Sequence, residues 1–293
     1  MSSADAHPDL VERTFVIARH FAPEEGLAPF RLRLCMADGE QGAMCWMPPP
    51  PGNLEEYVAV ADVALVRCVV EGRDDWLAAA ITHFPESGIL ELIPNAFGAD
   101  ASIVERFRDV VDRIECRSLV RLIERVWSRQ RVFRPFWTCP ASRSHHHAWR
   151  GGLAAHSVEM AEGIANSITV SGSDRDFGIA GALLHDIGKL WCYDENPDRF
   201  DVLLGHELVA VMRLKEDLDQ LEDEWPDGAT AMRALLAGRW ALKDHRPLLA
   251  VGRLLQAEDQ ISVERDLRAS AKSSQRPWRP ATSSNIYRIR AHQ

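Results

Sequence analysis

Apolar residues in the first hundred positions come in short alternating runs. Phe30-Arg31-Leu32-Arg33-Leu34 alternates strictly, and Tyr57-Val58-Ala59-Val60-Ala61-Asp62-Val63 does so more loosely. Val66 to Val70 and Trp76 to Ile81 continue the pattern, with turn chemistry at Asp38-Gly39, Pro48 to Gly52 and Glu71-Gly72. Runs of this kind between such breakers predict strands. After Ile93-Pro94-Asn95 the period changes: Ile103, Val104, Phe107, Val110, Val111 and Ile114 recur at helical spacing, as do Leu119, Leu122, Ile123, Val126 and Trp127. Helices are predicted over roughly 153–169, 176–187, 203–223, 229–243 and 247–262. The joint falls near Leu92 to Ala101.

The class is therefore α+β and multidomain: a β-barrel over residues 1–95, an all-α domain over 96–265, and a tail over 266–293. The strand and turn order looks like an OB-fold, a five-stranded barrel that holds single-stranded nucleic acid by stacking bases on aromatics. Trp46, Tyr57 and Trp76 are the candidate stacking residues, with Phe84 also available. Each of them, taken singly, also suits the core of a small barrel.

A chain of 293 residues supports two cores, and 46% apolar with 26% charged residues is a globular profile. No apolar run approaches the roughly 20 residues of a membrane span. Met1-Ser2-Ser3-Ala4-Asp5 lacks the basic and apolar regions of a signal peptide, and the six scattered cysteines form no C-x-x-C pair. A reduced, cytoplasmic protein is expected. The net charge of −9 argues against a protein that coats DNA through general basicity. Charge is uneven, however. From Arg268 the chain carries Lys272, Arg276, Arg279, Arg288 and Arg290 and no acid, a composition expected to be disordered. Such a tail either trails along a nucleic acid or simply solubilises the protein.

The chemistry concentrates in the helical half. Leu183-Leu184-His185-Asp186-Ile187-Gly188-Lys189 puts an imidazole beside a carboxylate at the end of an apolar run, with Gly188 as a C-terminal cap. Burying a carboxylate there requires a cation or donors, and the pair suits a divalent metal. Upstream, His145-His146-His147-Ala148-Trp149-Arg150-Gly151-Gly152 turns into a helix whose first turn carries His156. Downstream, Asp259 stands in an apolar helix, Leu254-Leu255-Gln256-Ala257-Glu258-Asp259-Gln260-Ile261.

In their order, His156, His185-Asp186 and Asp259 resemble the H…HD…D pattern of the HD superfamily of metal-dependent phosphohydrolases, over roughly residues 135–265. More narrowly, Pro140-Ala141-Ser142, His146 to Leu153, the Leu-Leu-His-Asp-Ile-Gly-Lys run and Leu203-Leu204-Gly205-His206 are similar to the YhaM-type 3′→5′ exoribonucleases, which place an OB-fold before an HD domain. Similar phrasing occurs in HD-like domains of certain plasmid-mobilisation proteins. The resemblance implies an all-α HD domain in which His156, His185, Asp186 and Asp259 hold Mn²⁺ (or Mg²⁺ or another transition metal). The metal would activate water against a phosphodiester. Asp186 would also orient the nucleophile. Lys189 would reach a phosphate oxygen or serve only as a helix-end charge, and His147 and Arg150 would contact phosphate or leaving group. His206 matches a second-metal position of binuclear members. The further histidines such members supply are missing from Ala234 to Trp240, and His245 is either a displaced ligand or a loop residue.

The function expected on this basis is 3′→5′ exonuclease action on single-stranded RNA or DNA. The alternatives are an HD hydrolase of a small nucleotide and a non-catalytic nucleic-acid-binding protein of a mobile element. A homo-oligomer is compatible with either, and no membrane partner is expected.

Overall fold

A computed structural model describes residues 10–21, 30–36, 39–45, 56–70, 72–83, 89–90, 100–143, 146–194, 197–239, 249, 251–270, 278–281 and 284–287. Trp46, Phe84 and His245 lie outside these residues. The chain divides into two compact units. One comprises residues 1–99 with Glu124–Arg134; the other comprises Asp100–Ile123 with residues 135–293.

The first unit is a closed barrel of five strands: β1 Leu10–Phe21, β2 Phe30–Met36, β3 Gly39–Cys45, β4 Ala59–Val70 and β5 Arg73–His83. The order around it is β1-β2-β3-β5-β4; β1 pairs with both β2 and β4, and β3 meets β5 in parallel. Alternation explains the inner wall. Leu32 and Leu34 of β2 are buried while Arg31 and Arg33 face out, and Ala61, Val63 and Leu65 of β4 point inward. With Phe15, Ile17, Ala43, Cys45 and Ala78 they form one core. The two Val-rich runs read from the sequence are one strand, because nothing between Val63 and Val66 breaks extended backbone.

Helical spacing groups Glu124–Arg134 with the helical half, but the segment belongs with the barrel. Val58 N–H donates to Ser128 C=O at 2.7 Å, and Gln130 N–H donates to Glu56 C=O at 2.7 Å. Arg129 pairs with Glu56 at 2.6 Å and lies 4.9 Å from the centroid of the Tyr57 ring. That face of Tyr57 is therefore occupied by a cation, and Trp76 is half-buried against the barrel core.

The second unit holds α1 Ala101–Asp112, the start of α2 Arg117–Ser128, and, after the short α3 Gln130–Phe133 of the barrel unit, α4 Gly152–Ala165 and α5 Gly172–Leu184. There follow α6 Lys189–Cys192, α7 Arg199–Leu204, α8 His206–Arg213, α9 Lys215–Glu224, α10 Pro226–Leu236 and α11 Gly252–Ser270. α4 is buried on nearly every side, as expected of a central helix. The single helix expected over 203–223 is three, broken at Gly205, whose φ of 83° no helix tolerates, and at Leu214. The tail also departs from expectation: α11 runs on to Ser270, and β6 Trp278–Ala281 pairs antiparallel with β7 Ser284–Tyr287. Among the described residues no helix is long and apolar enough to cross a membrane, and Cys45, Cys68, Cys116, Cys139 and Cys192 stand outside any disulfide.

Candidate metal centre

Two helices and one tight turn bring the chemistry together. α4 supplies His156, α11 supplies Asp259, and the turn after α5 supplies His185 and Asp186. One ligand atom from each of His156, His185 and Asp259 lies within 4.8 Å of the other two. Asp186 stands at the hub. Its Oδ2 is 3.2 Å from His185 Nε2, 3.8 Å from His156 Nε2 and 2.5 Å from Lys189 Nζ, and its Oδ1 is 3.1 Å from His206 Nε2.

The turn that carries His185-Asp186 depends on Gly188, but not as a left-handed cap. Its φ is −63°, and α5 is capped by His185. What requires glycine is proximity: a Cβ on Gly188 would stand 1.9 Å from the carbonyl oxygen of His206. The missing side chain lets the start of α8 lie against the turn, which puts His206 within reach of Asp186. Gly152 plays a similar part, since its Cβ would meet His147 C=O at 1.9 Å. His147 adopts a φ of 47°, fixed by its N–H donating to Asp266 at 2.8 Å and its C=O accepting from Ala141 at 3.0 Å.

The imidazoles are oriented for ligation. His185 Nδ1 lies 2.9 Å from Ala182 C=O, an acceptor only, so Nδ1 carries a proton and Nε2 is the nitrogen turned inward toward Asp186. His156 is fully buried, and its Nε2 has no hydrogen-bond partner although Asp259 Oδ1 lies 3.3 Å away. An orphaned buried nitrogen beside two carboxylates is costly unless something electrophilic occupies the space. Two imidazoles and two carboxylates form a donor set that a hard-to-borderline divalent ion fits.

Electrostatics agree. Burial opposes the charge on Asp186, but His185, Lys189 and His206 outweigh it and hold its carboxyl well below the usual range. Burial likewise opposes the charge on His185, yet neighbouring Asp186 raises its value overall. Burial lowers His156. Asp259 is lowered: burial acts against its charge, and His156 and His185 prevail.

The sequence-derived set is thus largely assembled: His156, His185, Asp186, Asp259, Lys189 and His206 meet in one place. His147 is buried beside His156, ring centroids 5.5 Å apart, and Arg150 is exposed on the turn before α4. Lys189 is buried and donates to Asp186. Sequence reasoning missed His146, whose ring lies 5.7 Å from His156, and it missed Glu159 and Ser262. The signal for Glu159 was available: it lies one helical turn beyond His156 on the same helix.

Comparison with known proteins places this site in context. Over 87 residues the chain is 38% identical to the dihydroneopterin 2′,3′-cyclic phosphate phosphodiesterase of Methanocaldococcus jannaschii, covering 26% of this chain and 34% of that protein. Over 144 residues it is 26% identical to the 3′-5′ exoribonuclease YhaM of Listeria monocytogenes, covering 44% of each. The chain therefore spans less than half the length of either relative. Both matches support the resemblance to HD-superfamily phosphohydrolases close to YhaM. No family model matches, and no solved structure does.

Proposed function

We propose that this protein is a metal-dependent phosphodiesterase that removes nucleotides from the 3′ end of single-stranded RNA, working through Mn²⁺ held by His156, His185, Asp186 and Asp259. The observation that carries this reading is the unpartnered, buried Nε2 of His156 facing His185 and Asp259. The barrel order β1-β2-β3-β5-β4 supports an OB-type strand-holding module, and the helices after residue 100 support an HD-type domain. The similarity to an exoribonuclease supports RNA as substrate.

When bound, the metal supplies a water of lowered pKa and a Lewis acid for a phosphoryl oxygen. The chain's own residues do the rest. Ala182 C=O and the fold of α4 fix the two imidazoles so that little reorganisation accompanies binding. Lys189 and His206 keep Asp186 ionised and oriented, each holding one carboxylate oxygen. His206 remains 30% exposed, so it can pass a proton between the site and solvent or a leaving oxygen. Arg150, exposed on the turn before α4, is suited to a phosphate.

One specific observation favours a second reading, a small cyclic phosphate as substrate: the higher identity, over a shorter stretch, to a cyclic phosphate phosphodiesterase. Incubation with 5′-labelled single-stranded RNA and DNA, and separately with a 2′,3′-cyclic mononucleotide, separates the two. A ladder shortening from the RNA 3′ end supports the exonuclease. Opening of the cyclic phosphate with oligonucleotides intact replaces it with the second reading. No turnover of any of them under Mn²⁺ or Mg²⁺, with oligonucleotide still bound, marks a non-catalytic binder.

A further inference from the structure

Helix α11 contributes more than a carboxylate ligand. Asp259, Ser262 and Asp266 follow at intervals of three and four, so they share one face of the helix. Asp266 anchors the His147 backbone and Asp259 faces His156. Ser262, between them, is 1% exposed and has two polar neighbours on α4: its Oγ donates to Glu159 Oε2 at 2.7 Å and lies 3.0 Å from His156 Nδ1.

A serine hydroxyl has one hydrogen. Because Glu159 takes it, Ser262 Oγ can only accept from the imidazole, so the His156 proton must sit on Nδ1. The opposite nitrogen is then a bare lone pair, and it is the atom that has no partner. We propose that Glu159 and Ser262 are positioning residues forming a carboxylate–hydroxyl–imidazole relay that locks His156 in the Nδ1–H tautomer and so prepares Nε2 to ligate the metal. The inference rests on the metal-centre reading above. Each helix supplies a different part of the relay, since α4 carries the ligand and the terminal carboxylate while α11 inserts the hydroxyl between them. Glu159 Oε2 also lies 3.5 Å from His147 Nε2, so the same oxygen borders the adjacent buried imidazole. Partners that orient a metal-bound histidine are worth roughly 10- to 100-fold in metal affinity.

The test has two readouts on the full chain. The first is long-range ¹H–¹⁵N NMR of the ¹⁵N-histidine-labelled, metal-free protein, with His156 assigned by loss of its signals in His156→Gln. The expected wild-type pattern is protonated Nδ1 and bare Nε2, and a protonated Nε2 overturns the relay. The second is calorimetric titration with Mn²⁺ alone. Ser262→Ala and Glu159→Gln are each expected to lose roughly 10- to 100-fold in affinity, with the His156 tautomer mixed or inverted. Wild-type affinity and an unchanged tautomer in either folded variant overturn the relay while leaving the metal centre intact. Failure of the wild type itself to bind Mn²⁺ removes the metal-centre reading, and the tautomer measurement still decides the relay. Should Ser262→Ala not fold, Glu159→Gln carries the comparison, because it keeps the size of the side chain.

Discussion

Gly188→Ala is the sharpest structural test of how the site is built. A Cβ at this position would lie 1.9 Å from His206 O, 2.8 Å from His206 C and 2.9 Å from Ala210 N. All three are backbone atoms, so no side chain can swing aside. Restoring ordinary contact requires α8 to retreat by at least about 1 Å, or the His185–Lys189 turn to deform by as much. Overpacking of a tight interior costs about 1–3 kcal/mol, and a backbone-on-backbone clash belongs at the upper end. For a domain of this size that is a fall in melting temperature of roughly 6–12 °C. His206 would also leave Asp186, now 3.1 Å away. Gly163→Ala is the matched control. Its Cβ would lie 2.0 Å from an atom as well, but that atom is the carboxylate end of Glu258, which can rotate away. Because Gly163 is inside α4, alanine there returns up to about 1 kcal/mol of helix propensity. Differential scanning fluorimetry of both variants decides the matter. Equal melting temperatures for Gly188→Ala and wild type would refute the close approach of α8 to the turn.

Three further outcomes are expected. His146 is pushed down to about 4, chiefly by burial and then by His156, Lys189 and His147. An unfolded imidazole takes up a proton near pH 6.5 that the folded one refuses until about pH 4. Stability from this group is therefore complete above about pH 6.5 and lost as the pH falls towards 4. His156 has the same sign; His185, raised, has the opposite one, its contribution present at low pH and lost as the pH climbs past its folded value. His146→Asn should accordingly show a smaller melting-temperature loss between pH 7 and 4.5 in metal-free buffer than wild type, and equal losses would count against its burial as a neutral ring. Asp259→Ala should weaken Mn²⁺ binding at least about tenfold, or 1.4 kcal/mol, in a calorimetric titration with helical circular dichroism unchanged; unaltered affinity removes Asp259 from the site. Phe15→Ala, which empties a fully buried position in the barrel core, should cost about 3–5 kcal/mol in urea unfolding, and a cost under about 1 kcal/mol would contradict the barrel core described here.

Much of the site was legible in the sequence because its chemistry is compact. A His-Asp pair closing an apolar helix, with a histidine before it and an acid after it, has few uses other than metal chemistry, and those residues do converge. The barrel was legible where one face is buried and the other is wet, as in Arg31–Leu34. It was not legible in β1, where Glu12, Arg13 and Thr14 interrupt the alternation and Phe15 to Ala18 are buried in succession. Gly188 was misread for a physical reason: a glycine after a helix signals a left-handed cap, and only tertiary packing reveals a close approach. The assignment of Glu124–Arg134 to the barrel unit was invisible for the same kind of reason. Its helical period says which residues are buried, not against which neighbour. Ser262 gave no signal at all, since a serine in a helix acquires meaning only from the two side chains it meets.

The central claim is that His156, His185, Asp186 and Asp259 form a metal-dependent phosphodiesterase centre. Hydrolysis of bis(p-nitrophenyl) phosphate, a bare phosphodiester independent of any particular biological substrate, tests it most directly when wild type and Asp186→Ala are compared across a Mn²⁺ titration. The predicted result is turnover that rises with Mn²⁺, vanishes with chelator and is absent from a folded Asp186→Ala. Equal metal-dependent turnover in the two proteins would contradict it.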